Sequence, residues 1–177
     1  VFTADHASEI LDRYGMLLAE LAGDLDRPVG RAFWEQSYFP AREVPATTLP
    51  ALFSEAVRAT PDEIAVVFED SRLTYAELDA RVAALAGRLR ERGAGPETIV
   101  AVALPRSLDL VVALHAVHRA GAAYLPLDPS HPQERNDFLL ADSGASILLT
   151  PATVTETGPP VTEAPGLPGD AAAYVIY

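Results

Sequence analysis

Residues 99–127 read IVAVALPRSLDLVVALHAVHRAGAAYLPL. Ile99 to Leu104 and Ala123 to Leu127 are apolar throughout, so each predicts a strand buried on both faces. Between them, Leu108 to Ala120 has helical periodicity, with Ser107 before it and Gly121 as a left-handed stop after it. Two strands joined through a helix run parallel, and a parallel sheet needs helices on both sides. Pro126 inside an apolar strand predicts an edge or a bulge, because proline has no N–H for a ladder.

The same alternation extends outward. Upstream, Ile64 to Phe68 reads as a buried strand, Glu69-Asp70-Ser71 as a turn, and Tyr75 to about Arg92 as a helix stopped by Gly93. Downstream come a short helix from about Pro132 to Ala141, Gly144 as its stop, a strand from Ala145 to Leu149, an irregular surface loop over 150–170 and a closing strand from Ala171 to Tyr177. The predicted fold class is α/β, with parallel-sheet layers covered by helices.

Before this lies a helix from Thr48, whose Leu49, Leu52, Phe53, Ala56 and Val57 form one apolar face, ended by Pro61. Residues 24–47 have no periodicity, prolines at 28, 40 and 45, and the aromatics Phe33, Trp34, Tyr38 and Phe39. Solvated linkers are poor in aromatics, so these read as anchors on a neighbouring surface or as a ligand platform. A first amphipathic helix runs from Thr3 to about Ala22, with Ile10, Leu11, Tyr14, Leu17, Leu18 and Leu21 as its stripe. Nothing upstream offers that stripe a partner.

Composition excludes several chemistries. All 13 basic residues are arginine, which removes a lysine Schiff base, a phosphate-loop lysine and a lysine general base. Cysteine is absent, and with it disulfides, thiolate nucleophiles and zinc-thiolate sites. A net charge of −12 disfavours nucleic acid as a partner. No apolar run spans a membrane and no signal segment opens the chain, so a cytoplasmic setting is expected.

Two segments hold the candidate functional residues. In Leu73-Thr74-Tyr75-Ala76-Glu77-Leu78, Thr74 and Glu77 form a capping box and Leu73 can staple onto Leu78; Tyr75 is left unexplained. In the second, Gly121 is the helix stop, Tyr124 and Pro126 belong to the strand, and Asp128 emerges at its carboxyl end. There it serves either a function or a turn before Pro129. His115 and His118, three apart on one helix, read as a packed pair or a partial metal site with no matching carboxylate. His6 and His131 are isolated. Gly93-Ala94-Gly95 precedes a strand and lacks a third glycine, so it is no dinucleotide fingerprint.

These two segments, in this order, resemble the first two core motifs of the adenylation domains of nonribosomal peptide synthetases. Those motifs are L-T/S-Y-x-E-L and L-K-A-G-x-A-Y-L/V-P-L/I-D. Here they stand as residues 73–78 and 118–128, and the likeness runs through residues 49–150, including Ala59-Thr60-Pro61-Asp62 and the run Pro129 to Arg135. His118 departs from the motif's apolar residue, so either a polar partner is buried nearby or the helix is slightly turned. Ala173 to Tyr177 resembles the strand leading into the family's glycine-rich phosphate loop, which would begin at the next residue. The first helix resembles the last helix of a condensation domain, and the aromatic stretch the linker that follows it.

The resemblance implies three parts: residues 1–27 as the condensation-domain helix, 28–47 as the linker, and 48–177 as the N-terminal portion of an adenylation core. It implies a parent enzyme that uses ATP and Mg²⁺ to make an aminoacyl-adenylate and passes the amino acid to a carrier domain's phosphopantetheine thiol. The implied partners are the amino acid, the condensation and carrier domains, and a small helper protein. The family's ATP, metal and amino-acid residues fall beyond Tyr177, so catalytic, cofactor and metal residues are expected to be absent here and the segment to be inactive alone. Leu73, Thr74, Tyr75, Glu77, Leu78, Gly121, Tyr124, Pro126 and Asp128 carry the motifs as structural residues. An acyl- or aryl-CoA ligase and a non-catalytic interaction platform centred on the aromatic linker are the alternative readings.

Overall fold

The computed structural model describes residues 4–23 and 47–177. The aromatic stretch and Thr3 lie outside these, and with them the reading of that stretch as a set of anchors. The chain divides into two compact units, Val1–Pro45 and Ala46–Tyr177. In the first, α1 (Ala4–Gly23) leaves Ile10, Leu11, Tyr14 and Leu18 exposed.

The second unit begins with α2 (Leu49–Ala59), capped by Thr48, whose hydroxyl accepts from the Ala51 N–H. The helix buries Phe53 in the main core. The hairpin that follows corrects the sequence reading. β1 (Ile64–Phe68) pairs antiparallel with β2 (Ser71–Thr74), not with the parallel sheet, and Ile64 and Val67 are exposed. A connection of only Glu69 and Asp70 can join antiparallel strands alone, because a parallel return needs a crossover of a dozen residues. β2 is short and largely polar, so it has no apolar run to announce it.

Two helices build one layer. α3 (Tyr75–Glu91) starts on a complete capping box: the Glu77 N–H donates to the Thr74 hydroxyl at 3.2 Å, and the Thr74 N–H to the Glu77 carboxylate at 2.9 Å. That box is worth about 1 kcal/mol. α4 (Leu108–Ala120) is capped by Ser107 and closed by Gly121 at φ 95°.

The parallel sheet has the order β4-β3-β5, from β3 (Ile99–Val102), β4 (Ala123–Pro126) and β5 (Ile147–Leu149). α5 (Gln133–Ser143) connects β4 to β5. Strand alternation separates the faces. Val100, Val102, Ile147 and Leu149 join Val82, Leu85, Leu89, Val112 and Val117 in the main core, whereas Ala101, Leu125 and Leu127 meet Leu139 of α5 in a smaller one. Helices thus cover both faces, as the apolar strands required.

Residues 150–170 form no regular element, yet they are more than the expected surface loop. The Gly158 and Val161 N–H groups donate to the Ala84 and Ala83 carbonyls of α3, both at 3.0 Å, and Val154 is buried. Gly87 allows this approach, since a Cβ there would fall on the Pro159 carbonyl. The segment is a strap across α3.

The closing strand is also corrected. Residues 171–177 touch β4 through one parallel bridge, Tyr124 to Tyr174, with the Tyr124 N–H donating to the Ala173 carbonyl (3.2 Å) and the Val175 N–H to the Tyr124 carbonyl (2.9 Å). The next rung would need an N–H on Pro126. Proline has none, so the pairing stops after one bridge, and the edge expected from Pro126 is present.

Candidate functional site

Parallel strands direct their loops to one end, and ligands of open α/β sheets sit in the crevice outside the carboxyl ends. A cleft of about 380 Å³ lies there. Leu104-Pro105-Arg106 enters it after β3, Pro126 to Pro129 after β4, His131 from the turn before α5, Arg135 from the first turn of α5, and Ile176 and Tyr177 from the last segment. The Tyr177 hydroxyl donates to the Asp142 carboxylate at 2.6 Å, which holds this end against α5 and keeps the phenol proton on.

Asp128 stands on the cleft wall, exposed, and its Oδ1 accepts from the Ser130 hydroxyl at 2.7 Å and the Ser130 N–H at 2.8 Å. Those bonds, the hydroxyl's first, hold its carboxyl below the usual range. Its backbone carbonyl accepts from the Asn136 side chain. This is an Asx turn tied to α5, so one residue shapes both the turn and the cleft. Arg106, His131 and Arg135 bring cationic or titratable groups to the same opening. Sequence reading placed both arginines in stretches that carry the family likeness but gave neither a functional role, and only their positions just past β3 and at the first turn of α5 could have singled them out.

The first motif lies elsewhere. Leu73 and Leu78 are buried in the main core, and Tyr75 is half-buried against it, lining an apolar groove with Leu52, Phe53, Val111, His115 and Tyr124. Packing therefore accounts for Tyr75, which the helix start did not. Gly121 has a second constraint besides its positive φ: a Cβ would come within 2.6 Å of the Pro165 ring, where the strap passes.

The two histidines have separate contacts. His115 stacks on Phe53 at 4.3 Å between ring centroids, whereas His118, buried, donates from Nε2 to the Ala173 carbonyl at 3.0 Å. Of the two readings of His118, a buried polar partner or a turned helix, the partner is present. Among the described residues no group of three His, Asp or Glu side chains could hold a metal ion. None of the described helices is long and apolar enough to cross a membrane.

Burial, with smaller contributions from His118 and Arg119, pushes His115 down from 6.5 to about 4. His118 is lowered too, mainly by burial. In the unfolded chain these rings take up protons near pH 6.5, but in the folded chain only at lower pH, so stability is complete above that value and falls as pH drops toward 4. The expected loss from His115 is about 2–3 kcal/mol. Urea midpoints compared at about pH 7.5 and about pH 4.5 check this, with His115→Leu expected to show a clearly smaller drop than the parent; equal drops would show that His115 is not responsible.

Comparison with known proteins adds the relatives. The family described as AMP-binding enzyme matches residues 53–174, which contain the whole parallel sheet. A dimodular nonribosomal peptide synthase of Bacillus subtilis is 36% identical over 93% of this chain and 7% of its own length. Tyrocidine synthase 3 of Brevibacillus parabrevis is 50% identical over 59% of this chain, again a small part (2%) of that protein. The chain therefore spans only a small fraction of these relatives. Among solved structures, the nonribosomal peptide synthetase FmoA3 bound to α-methyl-L-serine-AMP superposes with a TM-score of 0.75 at 28% identity, covering 99% of this chain and 23% of that one. The N-terminal subdomain of Klebsiella oxytoca NpsA with anthranilyl-AMSN gives 0.65 at 26% identity, covering 71% and 36%.

Proposed function

Since the chain belongs to the AMP-binding enzyme family, we propose that it is part of a nonribosomal peptide synthetase, with residues 48–177 as the N-terminal portion of its adenylation domain, 28–47 as the linker and 1–27 as the end of a condensation domain. The parent activates an amino acid with ATP, releasing pyrophosphate, and passes the acyl group from AMP to a carrier domain's phosphopantetheine thiol. Condensation and carrier domains of the same synthetase are its partners, with a small helper protein, and its setting is the cytoplasm. The observation that supports this reading is that the likeness to peptide synthetases covers the entire parallel sheet and the cleft at its carboxyl ends.

The chain's own share in that chemistry is the cleft wall. Arg106 and Arg135 offer positive charge to an anionic substrate, and the hydrophobic faces beneath keep the wall rigid. The charge-stabilising lysine and loop amides of the family must come from other residues of the parent, because this chain contains no lysine.

Pyrophosphate exchange measured on the parent synthetase with each of the twenty amino acids tests the proposal. Exchange with one or a few amino acids is expected, and none from the 177-residue chain alone. A parent that gives no exchange but consumes CoA with a carboxylic acid would be a CoA ligase instead, and the proposal would fail.

A further inference from the structure

We propose that His118 is a positioning residue, which sets the register of residues 171–177 on the edge of β4 and thereby places Ile176 and Tyr177 on the wall of the cleft. The Ala173 carbonyl is the point of attachment. It accepts two donors, the Tyr124 N–H at 3.2 Å and His118 Nε2–H at 3.0 Å. A carbonyl only accepts, so Nε2 carries the hydrogen. A buried imidazole left without a partner is costly, and a shift of residues 171–177 by one position would take this one away.

The attachment is needed because the ladder fails just beyond it. Pro126 supplies no N–H, so the segment has two backbone hydrogen bonds to β4 and then none until the Tyr177 hydroxyl reaches Asp142. With so short a pairing, register is weakly specified by the backbone. A slip of one residue would reverse the faces of Val175, Ile176 and Tyr177. Val175 belongs to the smaller core and Ile176 and Tyr177 to the cleft wall, so both surfaces depend on that register. Ring contacts reinforce it: His118 lies 5.4 Å from Tyr124, and Tyr124 5.8 Å from Tyr174, between centroids.

The kinetic consequence rests on the adenylation reading, but the register does not. The test uses the parent synthetase with His118→Leu, which removes the donor at similar volume, and His118→Gln, which keeps a side-chain N–H. Amide hydrogen exchange of residues 171–177 is expected to speed up by about tenfold in the Leu variant, the worth of one hydrogen bond, and to recover in the Gln variant, with β3 unchanged in both. The KM for ATP is expected to rise severalfold in the Leu variant, with the KM for the amino acid unchanged. Unchanged protection in His118→Leu, or equal loss in both variants, would overturn the proposal. Loosened residues 171–177 with an unchanged KM for ATP would overturn the link to the cleft. Should the Leu variant not fold, the Gln variant decides: retained protection supports the register role and lost protection overturns it. A parent without exchange activity would remove the adenylation reading and leave the hydrogen-exchange result standing.

Discussion

Replacing Asp79 by Asn is expected to destabilise the protein by about 3–5 kcal/mol, more than replacing its partner Arg119 by Met, although Asn takes almost the same space. Arg119 of α4 is 2% exposed, and its Nη2 donates to Asp79 Oδ1 of α3 at 2.6 Å. Its guanidinium also lies 5.3 Å from the Phe53 ring centroid, while Nη1 has no partner. In the Asn variant this buried cation loses its counter-charge, and water cannot replace it. In Arg119→Met the charge left behind is Asp79, a third exposed, which water can solvate, and the orphaned Nη1 disappears as well. That variant should lose only about 1–2 kcal/mol.

Urea melts of the two single variants and the double variant measure this. The double variant is expected to be more stable than Asp79→Asn alone, since removing the cation relieves the cost of burying it. If Arg119→Met proves the worse of the single variants, the arginine contributes through packing and contact with Phe53, and the charge argument is wrong. Arg119→Lys, which restores the residue of the resembling motif, is expected within about 1 kcal/mol of the parent, because the ammonium keeps the positive charge beside Asp79.

The second large effect reverses an ordinary rule. Glycine to alanine inside a helix normally stabilises by about 1 kcal/mol. At Gly87, in the last third of α3, the same change is expected to destabilise by about 2–3 kcal/mol, because the new methyl would occupy the position of the Pro159 carbonyl and the backbone of the strap would have to move. The bonds from Gly158 and Val161 to the α3 carbonyls would go with it, as would the 2.9 Å pair between Arg88 and Glu156. The strap should then become sensitive to protease between about residues 150 and 170, while cleavage elsewhere is unchanged. A Gly87→Ala variant that is more stable and no more easily cut would show that the strap is not seated on α3.

Much of the fold was legible because its signals are local. The box at Thr74 and Glu77, the stops at Gly93, Gly121 and Gly144 with φ of 94°, 95° and 68°, and the serine cap of α4 each lie within a few residues of what they control. The apolar strands at 99 and 123 were legible for the same reason, since burial on both faces is written into every position. β2 was missed because four mostly polar residues show no period, and only the two-residue turn before them hints at a return strand. Asp128 was singled out by its place at the end of β4, as a functional or a turn residue, but Arg106 and Arg135 were not, since a single arginine after a strand or at a helix start resembles any solvated arginine.

Sequence alone established the parallel α/β core, the helix limits and the likeness to adenylation domains, all properties carried by short-range pattern and by motif. Folding decided what distant segments do to one another. It seated residues 150–170 on α3 through a glycine some seventy positions earlier, cut the last strand to a single bridge, and brought Ala173 to His118. Each of these outcomes turns on whether one backbone carbonyl or N–H finds a partner from elsewhere in the chain. A hydrogen bond between residues far apart in sequence leaves no periodic trace at either end, so it becomes visible only when the packing is known.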